Sequence, residues 1–178
     1  RAATENREIM TPIFLDLLTR LATNPVEEMS ESEDWQLAPV IHLLAEWRET
    51  GAYLPFLTMM RREDDDLEYL LGDTVTESAP RILASVFDGD LAALFEAIED
   101  PAAYDFARLS MFHALVLVVR LHPEHRAAAE TFIRSFRSRN PEVSEVVLLG
   151  WIEGIASLGL EDMTEQVREI FERGEISP

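Results

Sequence analysis

The four histidines are the side chains of this sequence best suited to metal binding or proton transfer near neutral pH. His122 and His125 are the one pair close in sequence, and they flank Pro123 at a predicted helix start. A zinc site needs three or four protein ligands, and the sequence identifies no third ligand here. We therefore expect no metal at this pair.

The other candidate catalytic residues have simpler structural explanations. His42, Glu46 and Glu49 fall on one helical stripe, which is typical of the solvated edge of an amphipathic helix. His113 lies within an apolar segment, and we interpret it as a hydrogen-bonded core residue. Ser157 lacks the spacing of a nucleophile elbow, and no phosphate-binding glycine motif occurs. The sequence predicts no catalytic residue.

Composition excludes several further chemistries. The chain has no cysteine, so disulfides, thiolate nucleophiles and cysteine-bound metals are absent. All 15 basic residues are arginines, which removes Schiff-base chemistry. The net charge of −19 repels phosphate backbones and anionic lipids. We expect no cofactor, no nucleic-acid partner and no membrane partner.

The acidic residues form two dense patches, which we interpret as solvated loops. Their members are Glu27, Glu28, Glu31, Glu33 and Asp34 in the first patch, and Glu63, Asp64, Asp65 and Asp66 in the second.

Apolar residues recur at helical spacing along most of the chain, and no series of alternating strand segments occurs. The most apolar stretch, 106–121, contains Arg108, His113 and Arg120 and is too short to span a bilayer, so it predicts a buried helix. Helix starts are predicted from prolines and capping residues. The markers are Pro101, Pro123, Pro141 with Asn140 as N-cap, Thr74 with Glu77, and Asp162 with Glu165.

About ten helical segments are expected, and eight of them form pairs. The predicted pairs are 37–49 with 52–61, 76–87 with 90–99, 104–121 with 124–137, and 142–158 with 161–173. Their turn markers Gly51, Gly89, Pro123 and Gly159 are separated by 89 − 51 = 38, 123 − 89 = 34 and 159 − 123 = 36 residues. This is the period of two-helix solenoid repeats.

The near-constant period predicts the fold. A single helix pair cannot bury its apolar face, so neighbouring pairs stack and share one core. We expect an all-α protein, a right-handed stack of antiparallel helix pairs resembling a HEAT-like α-solenoid. The whole chain, 1–178, is predicted to form a single helical-repeat domain, with segment 106–121 in its middle.

Two segments of the sequence resemble a known family. LLAEWRETGAY (Leu43 to Tyr53) and LEYLLGDTVTESAPRILASVFDGD (Leu67 to Asp90) are similar to the bacterial family catalogued as domain of unknown function 1186, and EQVREIFERGEIS near the C-terminus is compatible with its terminal helix. The resemblance implies a cytoplasmic bacterial protein of helical repeats, with no established activity to carry over. Some longer relatives end in a cysteine-containing metal motif, which this cysteine-free chain does not share.

Charged residues within the family-like segment are the candidate partner-binding residues. They are Glu46, Arg48, Asp73, Glu77, Arg81 and Asp88. Helix caps and salt bridges between repeats explain most of them. A second group, Arg126, Arg134, Arg137 and Arg139, complements a helix dipole or captures an acidic or phosphorylated partner.

The leading functional hypothesis is a non-enzymatic protein–protein interaction or scaffold module, because the architecture is repetitive and no catalytic pattern is present. The alternative is an enzyme or small-molecule binder with an Arg/Asp/Glu-lined pocket in the helical stack. Nucleic-acid binding is disfavoured by the charge. A homo-oligomer is compatible with the sequence.

Overall fold

The protein is built from helices alone over the part that can be described. The computed structural model describes residues 5–176, apart from the side chains of residues 31–34. This range contains eleven α-helices and no strand, which confirms the all-α prediction. They are α1 (Arg7–Thr23), α2 (Glu31–Glu46), α3 (Tyr53–Met59), α4 (Asp64–Leu71), α5 (Thr74–Glu77), α6 (Ala79–Val86), α7 (Leu91–Glu99), α8 (Asp105–Leu121), α9 (Arg126–Arg139), α10 (Glu145–Leu158) and α11 (Thr164–Glu172).

All four predicted helix pairs are present, and they stack in sequence order. The first members α2, α6, α8 and α10 form one layer in which each helix contacts the next. In the second layer α1 packs on α3 and α3 on α7. Phe95 of α7 then stacks on Phe132 of α9, with ring centroids 4.1 Å apart. Each pair therefore covers the apolar side of its neighbour, as the period predicts.

The predicted turn residues occupy the connections within the pairs. Gly51 lies in a single 3-10 turn, Thr50–Ala52, and Pro123 opens another, Pro123–His125. Gly89 and Gly159 have φ angles of 106° and 68°. These left-handed backbone conformations favour glycine, because any Cβ would crowd the following carbonyl.

Helix α8 is the centre of the core. It packs between α6 and α10 in its own layer and on α7 of the other layer. Its buried face includes a charged side chain, Arg108, whose Nε donates a hydrogen bond to the Ile98 carbonyl at 2.9 Å. Burial lowers the pKa of Arg108, and Asp105 beside it partly offsets this effect. No helix within residues 5–176 has the length and hydrophobicity needed to cross a membrane.

Some predicted helix starts were wrong, because their polar side chains bind other groups. Asn140 ends α9, and its amide donates to Glu99 Oε1 at 2.9 Å. The N-cap of α10 is Ser144, whose hydroxyl accepts from the Val147 amide. Asp162 does not cap α11, since its carboxylate binds Arg134.

The predicted segment 76–87 also differs, since it is divided between α5 and α6. Pro80 has no amide hydrogen to bond back to the preceding turn, and the helix is interrupted at Ser78, where φ is −129°. Thr74 begins α5 as predicted, but the cap residue is Asp73 and no side-chain cap hydrogen bond forms.

The second acidic patch is not a loop throughout. Asp64, Asp65 and Asp66 form the first turn of α4. Carboxylates are favourable there, because the unpaired amides at a helix start carry partial positive charge. In the first patch, Glu27 and Glu28 are exposed in a 3-10 turn, Val26–Glu28. Glu31, Glu33 and Asp34 belong to the start of α2 rather than to a loop, and their side chains lie outside the described part.

A close approach of α8 and α10 at Gly150 gives a stability prediction. A Cβ on Gly150 would lie 2.9 Å from Leu109 Cα, a backbone atom that cannot move independently. We expect Gly150→Ala to lower the free energy of unfolding by about 1 to 2 kcal/mol, despite the higher helix propensity of alanine. Urea denaturation followed by circular dichroism measures this change.

Gly154→Ala is the matched control on the same helix. Its Cβ would meet Ile133 Cδ1 at 3.2 Å, the flexible end of a side chain that can turn away. This variant should be as stable as the wild type or slightly more so. Equal stability of the two variants would contradict the proposed backbone contact.

Candidate functional site

The six predicted partner-binding residues do not converge on one site. Glu46 and Arg81 line a groove between α2 and α6, whereas Arg48 lines a neighbouring recess. Asp73 lines a separate pocket near the start of α8. Glu77 and Asp88 are exposed and border none of these three cavities. Their role in partner binding remains a prediction.

The first cavity, the α2–α6 groove, has a volume of about 290 Å³. Its lining is mostly polar and combines donors with one carboxylate. The lining residues are His42, Ala45, Glu46, Ser78, Arg81, Ile82 and Ser85. Neither Glu46 nor Arg81 forms an ion pair with another described residue. The groove therefore presents one cation and one anion to solvent.

The second cavity, the Arg48 recess, lies where α2, α6 and α8 end, and its volume is about 270 Å³. It is lined by Arg48, Thr50, Ala84, Ser85, Phe87, Leu121 and His122. Ser85 also lines the α2–α6 groove, so the two cavities adjoin.

Aromatic packing fixes the base of the Arg48 recess. The Phe87 ring lies 5.3 Å from Tyr53, 5.5 Å from His122 and 5.2 Å from His125, between centroids. The Tyr53 hydroxyl donates to the Asp90 carbonyl at 3.0 Å. Burial, and then the nearby carboxylates of the Gly89 corner, raise the pKa of Tyr53 well above its usual range. The histidines are thus held against a buried aromatic ring.

Three of the described arginines, Arg48, Arg81 and Arg120, are exceptions in this acidic chain. The second predicted arginine group lies along α9, which Arg126 begins and Arg139 ends, and all four side chains are paired with carboxylates of the chain. Arg126 pairs with Glu130, Arg134 with Asp162, Arg137 with Glu175 and Arg139 with Glu99. By contrast, Arg48, Arg81 and Arg120 form no ion pair or hydrogen bond with another described side chain.

The backbone at Arg48 is also unusual. Helix α2 ends with two hydrogen bonds, from Arg48 N to Ala45 O and from Glu49 N to Leu44 O. The same pattern ends α10 and α11, where the equivalent residues are Gly159 and Gly174. Arg48 has φ 53°, close to the 68° and 69° of these glycines. An arginine therefore occupies a left-handed position for which glycine is favoured.

The third cavity, the acidic aromatic pocket, is the feature that sequence reasoning missed. It has a volume of about 230 Å³ and is lined by Glu68, Gly72, Asp73, Val75, Thr76, Tyr104 and Phe106. The Tyr104 and Phe106 ring centroids are 5.5 Å apart at an interplanar angle of 51°. Phe106 is 42% exposed. The two rings form an accessible aromatic wall.

The electrostatic potential in the acidic aromatic pocket is negative. Neither the Glu68 nor the Asp73 carboxylate forms an ion pair with another described side chain. Burial, and then the carboxylates of Glu68, Asp64 and Asp105, raise the pKa of Tyr104. The pocket therefore combines uncompensated negative charge with exposed aromatic faces, an arrangement that favours a cation.

The prediction for His113 is confirmed in part. His113 is hydrogen-bonded as predicted, with Nε2 2.5 Å from Glu153 Oε2, but its side chain is 37% exposed, so it is not a core residue. Within residues 5–176, apart from the undescribed side chains, no three His, Asp or Glu side chains are arranged to hold a metal ion.

The comparisons with known proteins bear on the whole chain. The family described as "Protein of unknown function (DUF1186)" matches residues 1–178. The chain belongs to this family. A protein of Chlamydia trachomatis with the name "Uncharacterized protein" is 32% identical over 136 residues, which cover 76% of this chain and 52% of the relative. A Chlamydia muridarum protein of the same name is 31% identical over 129 residues, which cover 72% and 51%.

The chain thus spans about half the length of these curated relatives. No solved structure matches. The family resemblance of Leu43 to Tyr53 and Leu67 to Asp90 is confirmed, and the likeness to HEAT repeats stays a prediction.

The left-handed backbone at Arg48 gives a second prediction. Arg48→Gly should raise the free energy of unfolding by about 1 kcal/mol relative to Arg48→Ala, because both remove the guanidinium and glycine alone removes the crowded Cβ. Urea denaturation of the two variants measures the difference. If the alanine variant were as stable as the glycine variant, the backbone there would carry no such cost.

Proposed function

We propose that the protein is a non-enzymatic interaction module that binds a cationic segment of a protein partner. The acidic aromatic pocket is the proposed docking site. The observation that carries this proposal is the pair of unpaired carboxylates, Glu68 and Asp73, beside the exposed rings of Tyr104 and Phe106.

The pocket has suitable chemistry for one arginine or lysine side chain. An aromatic face attracts a cation within about 6 Å of its centroid, and a carboxylate adds a charge-assisted hydrogen bond. The volume of about 230 Å³ accommodates the charged end of a single side chain. The Tyr69 side chain, which follows Glu68 on α4, is also 55% exposed. Aromatic residues and arginine are enriched at protein–protein interfaces, and the acidic neighbours of these rings favour a basic peptide.

The net charge selects the class of partner. A charge of −19 steers cationic proteins towards the chain and repels nucleic acids, anionic membranes and a second copy of the chain. The proposed partner is therefore a different, basic protein. We further propose a cytoplasmic location, which the family resemblance implies, and one helical-repeat domain over 1–178.

A small-molecule binder is the alternative function. The unpaired Arg48 in its recess is the observation that favours it.

Peptide binding tests the proposed function. The probes are short peptides that carry arginine or lysine at the centre, with glutamate-centred peptides of the same length as the comparison. We expect the basic peptides to bind, and their affinity to fall as the NaCl concentration rises. Salt at 0.1 M screens exposed charges that are more than about 10 Å apart. The double variant Glu68→Arg with Asp73→Arg should weaken binding by about tenfold or more. Fluorescence anisotropy measures the affinities.

The double variant Asp16→Arg with Glu172→Arg is the matched control. It makes the same change of net charge at exposed residues of α1 and α11, away from the pocket. It should retain most of the affinity. Equal losses in both double variants would show that net charge alone drives binding, and would overturn the proposed site.

A further inference from the structure

We propose that the Arg48 recess binds the phosphate group of a small phosphate monoester. This site is separate from the acidic aromatic pocket, and the inference does not depend on the proposed protein partner. Four side chains around the recess donate hydrogen bonds to an oxyanion: the Arg48 guanidinium, the hydroxyls of Thr50 and Ser85, and the His122 imidazole.

Arg48 is the cation that makes this recess suitable for a phosphate. A guanidinium presents a planar fork of donors that matches two phosphate oxygens. Arg48 is free to do so, since it forms no ion pair with another described side chain. The chain has 34 acidic residues and 15 arginines, yet Arg48 is one of three described arginines without a carboxylate partner.

The backbone supplies independent support. Gly159 and Gly174 show that glycine satisfies the hydrogen-bond pattern at this type of helix end. At the end of α2 the same position is occupied by Arg48, with a positive φ that arginine adopts only at a cost. Residues with strained backbone conformations of this kind are concentrated at ligand sites, where the function of the side chain outweighs the cost of the conformation.

Nearby negative groups make binding depend strongly on Arg48. Helices α2, α6 and α8 all end at the recess, so their terminal carbonyls carry partial negative charge towards it. His122 Nδ1 also lies 3.8 Å from Glu124 Oε1. Without the guanidinium, the hydroxyls alone would not overcome this repulsion.

The rest of the lining indicates an organic phosphate rather than the free anion. Phe87 forms an apolar wall, and Leu121 is 58% exposed beside it. The volume of about 270 Å³ exceeds what one phosphate group fills. Since Ser85 joins the recess to the α2–α6 groove, a longer ligand extends towards Arg81, which is also unpaired.

Titration of the full chain with phenyl phosphate, inorganic phosphate and benzoate tests the inference. Calorimetry gives the affinities, and amide NMR shifts locate the binding site. We expect phenyl phosphate to bind about tenfold more tightly than inorganic phosphate, because its ring contacts Phe87 and Leu121. Benzoate should bind more weakly than phenyl phosphate, since it has fewer oxygens and a smaller charge.

Two variants separate the role of the side chain from the folding of the chain. Arg48→Gly removes the strain of the left-handed backbone and keeps the fold, yet it should weaken phenyl phosphate binding by about tenfold or more. Arg48→Ala should weaken binding to a similar extent. Arg168→Ala removes the same charge from α11 and should leave the affinity within about twofold.

Three results would overturn the inference. The first is unchanged affinity in Arg48→Gly, and the second is benzoate binding as tight as that of phenyl phosphate. The third is no binding by the wild type at about 10 mM phenyl phosphate. Retained phosphate binding with lost peptide binding, or the reverse, would distinguish this site from the proposed protein-docking pocket.

Discussion

The burial of α8 is the constraint on which the rest of the structure depends. Ten of its 17 residues are buried, and it contacts helices on several sides. A helix that is apolar nearly all round cannot remain at a surface in water, so other helices must cover it. The close contact at Gly150 lets α10 approach the α8 backbone directly. Helix α6 covers the opposite side of α8, and these two contacts produce the layered stack.

This arrangement also decides where polar sites can form. Apolar side chains fill the core between the first-layer helices, whereas the two proposed sites lie where helices begin or end. Arg48, Ser85 and His122 meet because α2, α6 and α8 terminate together. Tyr104 and Phe106 lie at the other end of α8, where they meet α4 and α5. The two proposed sites, of opposite charge preference, therefore lie at the two ends of the same helix.

Much of the fold could be predicted from the sequence, because its signals are local. Turns are indicated by residues whose backbone preferences are local, namely Gly89, Pro123 and Gly159. The helical spacing of apolar residues indicates the helices. The cap assignments of Asn140 and Asp162 failed because each side chain found a stronger partner from a distant segment. Such competition between local and distant partners has no signature in a single sequence.

The candidate sites were predictable only in part, for the same reason. Asp73 was identified, but Glu68 and Tyr104 are 104 − 68 = 36 residues apart, and only packing brings them to one pocket. Arg48 was identified by its charge and its place in the family-like segment. Its left-handed backbone could not be recognised, since nothing in the sequence distinguishes that residue from an ordinary helix-terminal arginine.

The serial contacts of the helix pairs have a consequence for local opening. Helix α11 buries Ile170, whereas α8 buries residues along most of its length. Amide protons of α11 should therefore exchange with solvent deuterium through partial unfolding events that leave α8 closed. Helix α11 can therefore lose order while the region that holds Arg48 stays folded.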